Sequence, residues 1–209
     1  MHGQSDQLTR LLRLVRATPD DLVITLGDYV DRGPDSRGVI EQLITLHRSH
    51  QVVSLRGNHD QLMIDAREDP DEIDIWRAYG AQITLESYGS DSLDAVPDSH
   101  WHFLTQTCCD FYETDTHIFV HGHLYPDQPV KQQPISKLHW LGIDDAEAHH
   151  SGKTVICGHR PQDNGMPLDR GFAIGLDTTG WLTCIDVTTS DCWQVADEDH
   201  ATRQFKLRP

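Results

Sequence analysis

Asp21–Leu26 (DLVITL) and Gln51–Leu55 (QVVSL) are short apolar runs rich in Val and Ile, and each breaks at once into a loop of Gly, Asp, Asn and His. Runs this short and β-branched read as buried strands. Helical spacing follows each loop: Val39, Ile40, Leu43, Ile44 and Leu46 behind Ser36 as cap, then Gln61–Arg67. Strand, polar loop and helix, repeated, predict βαβ units and parallel strands, because parallel neighbours need such a crossover. A helix over Asp6–Ala17, with Leu8, Leu11, Leu12 and Val15 on one face, precedes them. Later runs predict further strands at Phe111–Glu113, His117–His121, Thr154–Cys157, Phe172–Leu176, Trp181–Val187 and Cys192–Val195. Gly and Asp turns between the last four predict a mostly antiparallel later half. Between Pro70 and Gln106 a weaker helical period (Ile73, Trp76, Tyr79; Trp101, Phe103, Leu104) predicts a helical insertion. With 209 residues and about 150 per average domain, the chain reads as a single α/β domain spanning 1–209.

Charge narrows the function. The 33 Asp and Glu against 17 Lys and Arg leave a formal charge of −16. Phosphate backbones and anionic lipid are held by Lys and Arg, so nucleic-acid and membrane partners are not expected. Any phosphate group must instead be met locally, most economically by bound cations. A mean hydropathy of −0.50 and the lack of a long apolar run argue against a membrane span. Five cysteines without a C-x-x-C spacing predict free thiols and a reducing, cytoplasmic setting.

Chemistry-bearing residues recur at or near expected strand ends. These are Met1-His2-Gly3, the GDYVDRG run Gly27–Gly33, Gly57-Asn58-His59-Asp60, Val120-His121-Gly122-His123 and Gly158-His159. In α/β sheets the ligand crevice lies outside the carboxyl ends of the strands, so distant segments converge there. Taken singly, Gly-Asp is an ordinary turn, Gly-Asn-His-Asp a turn with an Asp cap, and a strand-end histidine a satisfied core residue. Arg32 and Arg56 are each readable as surface charge. Together they offer carboxylate, amide and imidazole donors and no thiolate, a set suited to Mn, Fe or Zn.

GDYVDRG, RGNHD, VHG and GH in this order resemble the calcineurin-like metallophosphoesterases, in particular their phosphoprotein-phosphatase branch, and the resemblance runs from His2 to about Val195. It implies a metallophosphoesterase-like β-sandwich flanked by helices, with the insertion at about 70–106. It also implies two divalent ions, Mn foremost with Fe or Zn as alternatives. By that resemblance His2, Asp28, Asn58, His121 and His159 are metal ligands, with Asp28 bridging. His59 protonates the leaving oxygen, Asp31 orients its imidazole and Arg32 grips the phosphoryl oxygens. Arg56 and Asn58 are further phosphate contacts. The implied reaction is in-line attack by a metal-bound hydroxide, without a phosphoenzyme. The implied substrate is a phosphorylated protein, or alternatively a small phosphoester or nucleotide, as in the symmetrical dinucleoside-tetraphosphate hydrolases.

The sequence also departs from that pattern. The family's D-x-H-G opens here as Met1-His2-Gly3, without its Asp or the strand before it. A native chain reading Asp-Met-His-Gly is the expectation, with intact mass from the source as its check. Without that Asp the first metal site is expected to be weak or empty, and an inactive relative with a binding role is the non-enzyme alternative. An Arg common two residues after Trp140 is replaced by Gly142, with Arg160 a possible substitute, and His123 stands at a usual glycine. His149-His150 read as solvated loop residues, and Cys108, Cys109 and Cys157 as small core residues.

Overall fold

The computed structural model describes residues 1–144, 146–197 and 200–208. The chain divides into two compact units, Met1–Ser5 with Thr18–Asp110, and Asp6–Ala17 with the chain from Phe111 onward. Their elements make a mixed α/β fold.

In the first unit β1 (Leu22–Thr25) and β2 (Gln51–Ser54) pair in parallel, Leu22 opposite Gln51 and Thr25 opposite Ser54. The crossover that parallel pairing demands is α2 (Ser36–His47). Its N-cap is Asp35, whose side chain accepts from Gly38 N, so the cap lies one residue before the expected Ser36. A carboxylate there also favours the positive end of the helix dipole. Helix α3 (Asn58–Glu68) follows β2 after three residues. The expected insertion is helical: a 3₁₀ turn at Pro70–Glu72 leads into α4 (Ile73–Ala78) and α5 (Ala81–Ser87), and a second at Leu93–Ala95 precedes α6 (Asp98–His102). Val39, Ile40 and Leu43 of α2, Leu55, Met63 of α3, Trp76 of α4, Leu85 of α5 and Leu104 are buried and form its core.

The second unit starts at Asp6, the second residue of the helix α1 (Ser5–Val15), whose Gln7 and Arg10 donate to the carbonyls of Val195 and Ala196. Its larger sheet takes β3 (Phe111–Glu113), β4 (His117–Val120), β5 (Thr154–Cys157), β6 (Leu168–Asp169) and β7 (Ala173–Gly175) in the order β3-β4-β5-β7-β6. β4, β5 and β7 run parallel, and only the flanking β3 and β6 are antiparallel. The antiparallel reading of this half is therefore corrected for its central strands. β8 (Trp181–Ile185), β9 (Asp191–Ala196) and β10 (Thr202–Lys206) do form an antiparallel sheet. Ile118, Val120, Val155, Cys157 and Ala173 from the larger sheet pack with Leu138 of α7 (Ile135–Trp140) and with Leu124, Val130 and Ile143. His149 corrects a second reading: it is only 4% exposed. Its ring nitrogens lie on Ser151 Oγ at 2.6 Å and Gln128 O at 2.9 Å.

Candidate functional site

In the first unit the loops after β1 and β2 are stitched together through one side chain. The buried Asp60 carboxylate accepts the backbone N–H of Asp28 at 2.8 Å, Tyr29 at 2.9 Å and Gly57 at 2.9 Å. The Tyr29 hydroxyl donates to Leu55 O at 2.6 Å, a second tie between the loops. Asp28 in turn accepts the N–H of His59 at 3.1 Å, so its carboxylate sits in the first turn of α3, where unsatisfied N–H groups favour an anion. Gly57 is dictated by crowding, since a Cβ there would overlap the Asp28 carboxylate and backbone nitrogen. Burial, with the Asp28 charge beside it, pushes the Asp60 carboxyl up to about 6 against the pull of its backbone donors.

His2, Asp28 and His59 bring one donor atom each within 4.8 Å of one another. His2 Nδ1 lies 2.9 Å from Val30 O and therefore carries the proton, which leaves the Nε2 lone pair 3.3 Å from Asp28 Oδ2. Two acceptors that face each other call for a cation or a proton between them. A histidine held through its second nitrogen by a backbone carbonyl is the usual arrangement of a metal ligand. The donor set present thus fits a divalent ion.

His59 itself has both ring nitrogens engaged. Nδ1 lies 2.8 Å from Asp31 Oδ2, and Nε2 lies 3.1 Å from an Arg32 guanidinium nitrogen. Arginine only donates, so Nε2 is the acceptor and Nδ1–H donates to Asp31. The imidazole is neutral in this state, and Arg32 and a proton compete for the same lone pair. Arg32 is exposed whereas His59 and Asp31 are buried, so the guanidinium is the group that meets solvent. Tyr79, 41% exposed, places its ring 5.8 Å from that of His59.

Asn58, the first residue of α3, is buried. Arg56 differs from Arg32 in being committed: its guanidinium donates to Leu104 O, Cys108 O, Gln61 Oε1 and Asp110 Oδ1. Those bonds describe an anchor for the loop after β2 and leave the phosphate contact expected of it without support.

In the second unit His121 and His159 approach with ring centroids 5.3 Å apart, and Gly158 N donates to His121 O at 2.8 Å. His159 also meets the Trp140 ring at 5.9 Å. A Cβ on Gly142 would touch the stem of Arg160, so Arg160 overlies the position expected to lack its arginine, its Nε 2.6 Å from Asp144 Oδ2. His123 is buried with Nε2 unpartnered among the described residues.

Backbone geometry marks the same residues. His2, Asp28, Asp31, Arg32 and His159 have φ values of +47°, +54°, +67°, +65° and +63°, and they are five of the eight non-glycine residues in the left-handed region among those described. Such conformations cost energy and persist where surrounding structure enforces them, commonly at functional sites. Trp76 and Thr84, which donate to Asp31, were legible in the sequence only as a packing residue and not at all, respectively.

The family described as calcineurin-like phosphoesterase matches residues 1–180. Serine/threonine-protein phosphatase 1 of Salmonella typhimurium is 28% identical over 192 residues, covering 84% of this chain and 85% of that protein. A symmetrical bis(5'-nucleosyl)-tetraphosphatase of an Acidovorax species is 42% identical over 67 residues, 32% of this chain and 23% of that one. The crystal structure of a cold-active protein-tyrosine phosphatase from a psychrophilic Shewanella species superposes with a TM-score of 0.65 at 14% identity, covering 98% of this chain and 78% of that one. That last likeness is one of fold.

Proposed function

The chain belongs to the calcineurin-like phosphoesterase family, a family of phosphoesterase hydrolases, and on that premise we propose that it hydrolyses phosphomonoesters as a serine/threonine protein phosphatase does, with divalent metal as cofactor. The observation that carries this reading is the buried Asp31–His59 pair whose outer nitrogen faces the exposed guanidinium of Arg32, beside the His2–Asp28 donors. The metal donors of the first unit are His2, Asp28 and Asn58, with Mn the favoured ion and Fe or Zn the alternatives; His121 and His159, taken by themselves, are a pair of imidazole donors suited to the same ions. Bound divalent ions supply a water of lowered pKa and offset the charge of the phosphoryl group. The chain's own residues do the rest. Arg32 leaves His59 for the phosphoryl oxygens, which a guanidinium fork matches. His59 Nε2 is then open to take up a proton and hand it to the departing oxygen. Asp31 keeps the opposite nitrogen protonated and the ring aimed. Arg56 supports the loop that carries Asn58 and His59. The free cysteines fit a reducing cytoplasm.

Phosphate release from p-nitrophenyl phosphate and from a phosphoserine peptide, with Mn added, tests this directly. His59→Asn is expected to lose about 10²–10⁴-fold on the peptide. A wild-type chain that releases phosphate from neither substrate under any divalent ion refutes the reading. The local match to a tetraphosphatase favours one alternative substrate class. Product analysis on diadenosine tetraphosphate decides it, two diphosphates marking the symmetrical hydrolase.

A further inference from the structure

Asp31 has more donors than the orientation of one imidazole requires. Besides His59 Nδ1 on Oδ2 at 2.8 Å, Trp76 Nε1–H lies 3.2 Å from Oδ1 and 3.1 Å from Oδ2. Thr84 Oγ1 donates to Oδ1 at 2.8 Å and accepts the Asp31 N–H at 2.8 Å. All four side chains are buried. Trp76 stands on α4 and Thr84 on α5, so both donors come from the helical insertion.

A carboxylate turns readily about its Cβ–Cγ bond, because that torsion has broad minima. Held by one imidazole alone, it would let the ring rock with it. An indole N–H centred between its oxygens and a hydroxyl fixed on Oδ1 stop that rotation and reserve Oδ2 for His59. The Thr84 hydroxyl has one proton, and because a carboxylate oxygen only accepts, the 2.8 Å bond to Oδ1 uses it, while Asp31 N–H and Ser36 Oγ at 3.1 Å meet the lone pairs of the hydroxyl oxygen. The same donors stabilise a charge that burial would otherwise penalise.

From this geometry we infer that Trp76 and Thr84 are positioning residues for proton delivery by His59, so that the insertion acts on the chemical step. The inference rests on the phosphatase reading above for His59. Its distinguishing mark is dependence on the leaving group, since a nitrophenolate departs with little help from an acid whereas an alkoxide needs the proton.

The test compares Trp76→Phe and Thr84→Val, with Thr84→Ser as the conservative control, on p-nitrophenyl phosphate and a phosphoserine peptide. We expect kcat on the peptide to fall about 10–100-fold, kcat on nitrophenyl phosphate to change less than about threefold, KM to hold on both, and Thr84→Ser to retain activity. Equal losses on both substrates, or none on either, overturn the inference while leaving the phosphatase reading intact. A second measurement needs no turnover: proton NMR of the metal-free chain follows solvent exchange at His59 Nδ1–H. Exchange about tenfold faster in Thr84→Val and Trp76→Phe supports the inference, and unchanged exchange in both overturns it. Should Trp76→Phe not fold, Thr84→Val carries both tests.

Discussion

Three backbone N–H groups, from Asp28, Tyr29 and Gly57, converge on the buried Asp60 carboxylate. Asp60→Ala strands all three, and at about 1–3 kcal/mol for each buried donor left unpaired we expect a loss of more than 3 kcal/mol, read by urea denaturation. A loss under about 1 kcal/mol would mean that water satisfies these groups and that the loops do not depend on this residue. Asp60 was legible in the sequence only as a helix cap, because its partners Asp28 and Tyr29 lie 32 and 31 residues away. The left-handed residues tell a similar story. Glycine announces such a conformation in a sequence, whereas His2, Asp28, Asp31 and Arg32 do not, and only the surrounding bonds hold them there. Cysteine reactivity belongs to this scale as well. Burial pushes the Cys157 and Cys184 thiols up to about 12 and Cys192 up to about 11. With almost no thiolate at about pH 8, these three should resist iodoacetamide in the native chain and react after denaturation. Peptide mass mapping that finds any of them modified first would contradict that environment.

Among the elements, helices and strands built on local pattern came through with small shifts of boundary: β5 occupies Thr154–Cys157 as expected, and α2 begins at Ser36. Its cap was misplaced by one residue because Ser and Asp are equally good caps by type. Geometry decides for Asp35, which accepts from Gly38 N at 2.8 Å and also from Ser5 Oγ at 2.5 Å. Asp35→Ala should therefore destabilise the chain by about 1–2 kcal/mol, the upper part of the range for caps, and Ser36→Ala by less; the reverse order in thermal denaturation would restore the sequence reading. Strand direction was the larger miss. Gly and Asp turns show where β4, β5 and β7 end, but the connection between parallel partners is not encoded within either strand. β6 has two residues, and β10 alternates polar with half-buried positions, so neither stands out as an apolar run.

For the whole molecule, net charge and buried histidines set the response to solution conditions. Burial holds His47, His100, His117 and His123 below their usual 6.5. A base depressed in the folded state is protonated first in the unfolded one, so the stability these residues contribute is present above pH 6.5 and is lost as pH falls. Asp60, raised from 3.8 to about 6, has the opposite sign, losing stability as pH rises across that interval. The two effects oppose each other, so the histidine contribution is read in Asp60→Asn, which removes the carboxyl: there the urea midpoint should be lower at about pH 5.5 than at about pH 7.5. Equal midpoints would show that the histidines are satisfied in either charge state. At −16 the chain also has a general affinity for cations, so specific metal binding needs a control. Mn should raise Tm in the wild type and lose most of that effect in Asp28→Asn, and an equal shift in both would assign it to the surface. The sequence by itself determined which of the site's side chains the chain owns and that Asp28, Asn58, His121 and His159 follow strands, because strand propensity, turn chemistry and helix spacing act over a few residues. Only the tertiary structure decided how those side chains are held: the tie of Asp60 across two loops, the grip of Trp76 and Thr84 on Asp31 from 45 and 53 residues away, and the parallel order of β4, β5 and β7. Hydrogen bonds and strand ladders between distant segments are set by packing, and no local pattern carries them.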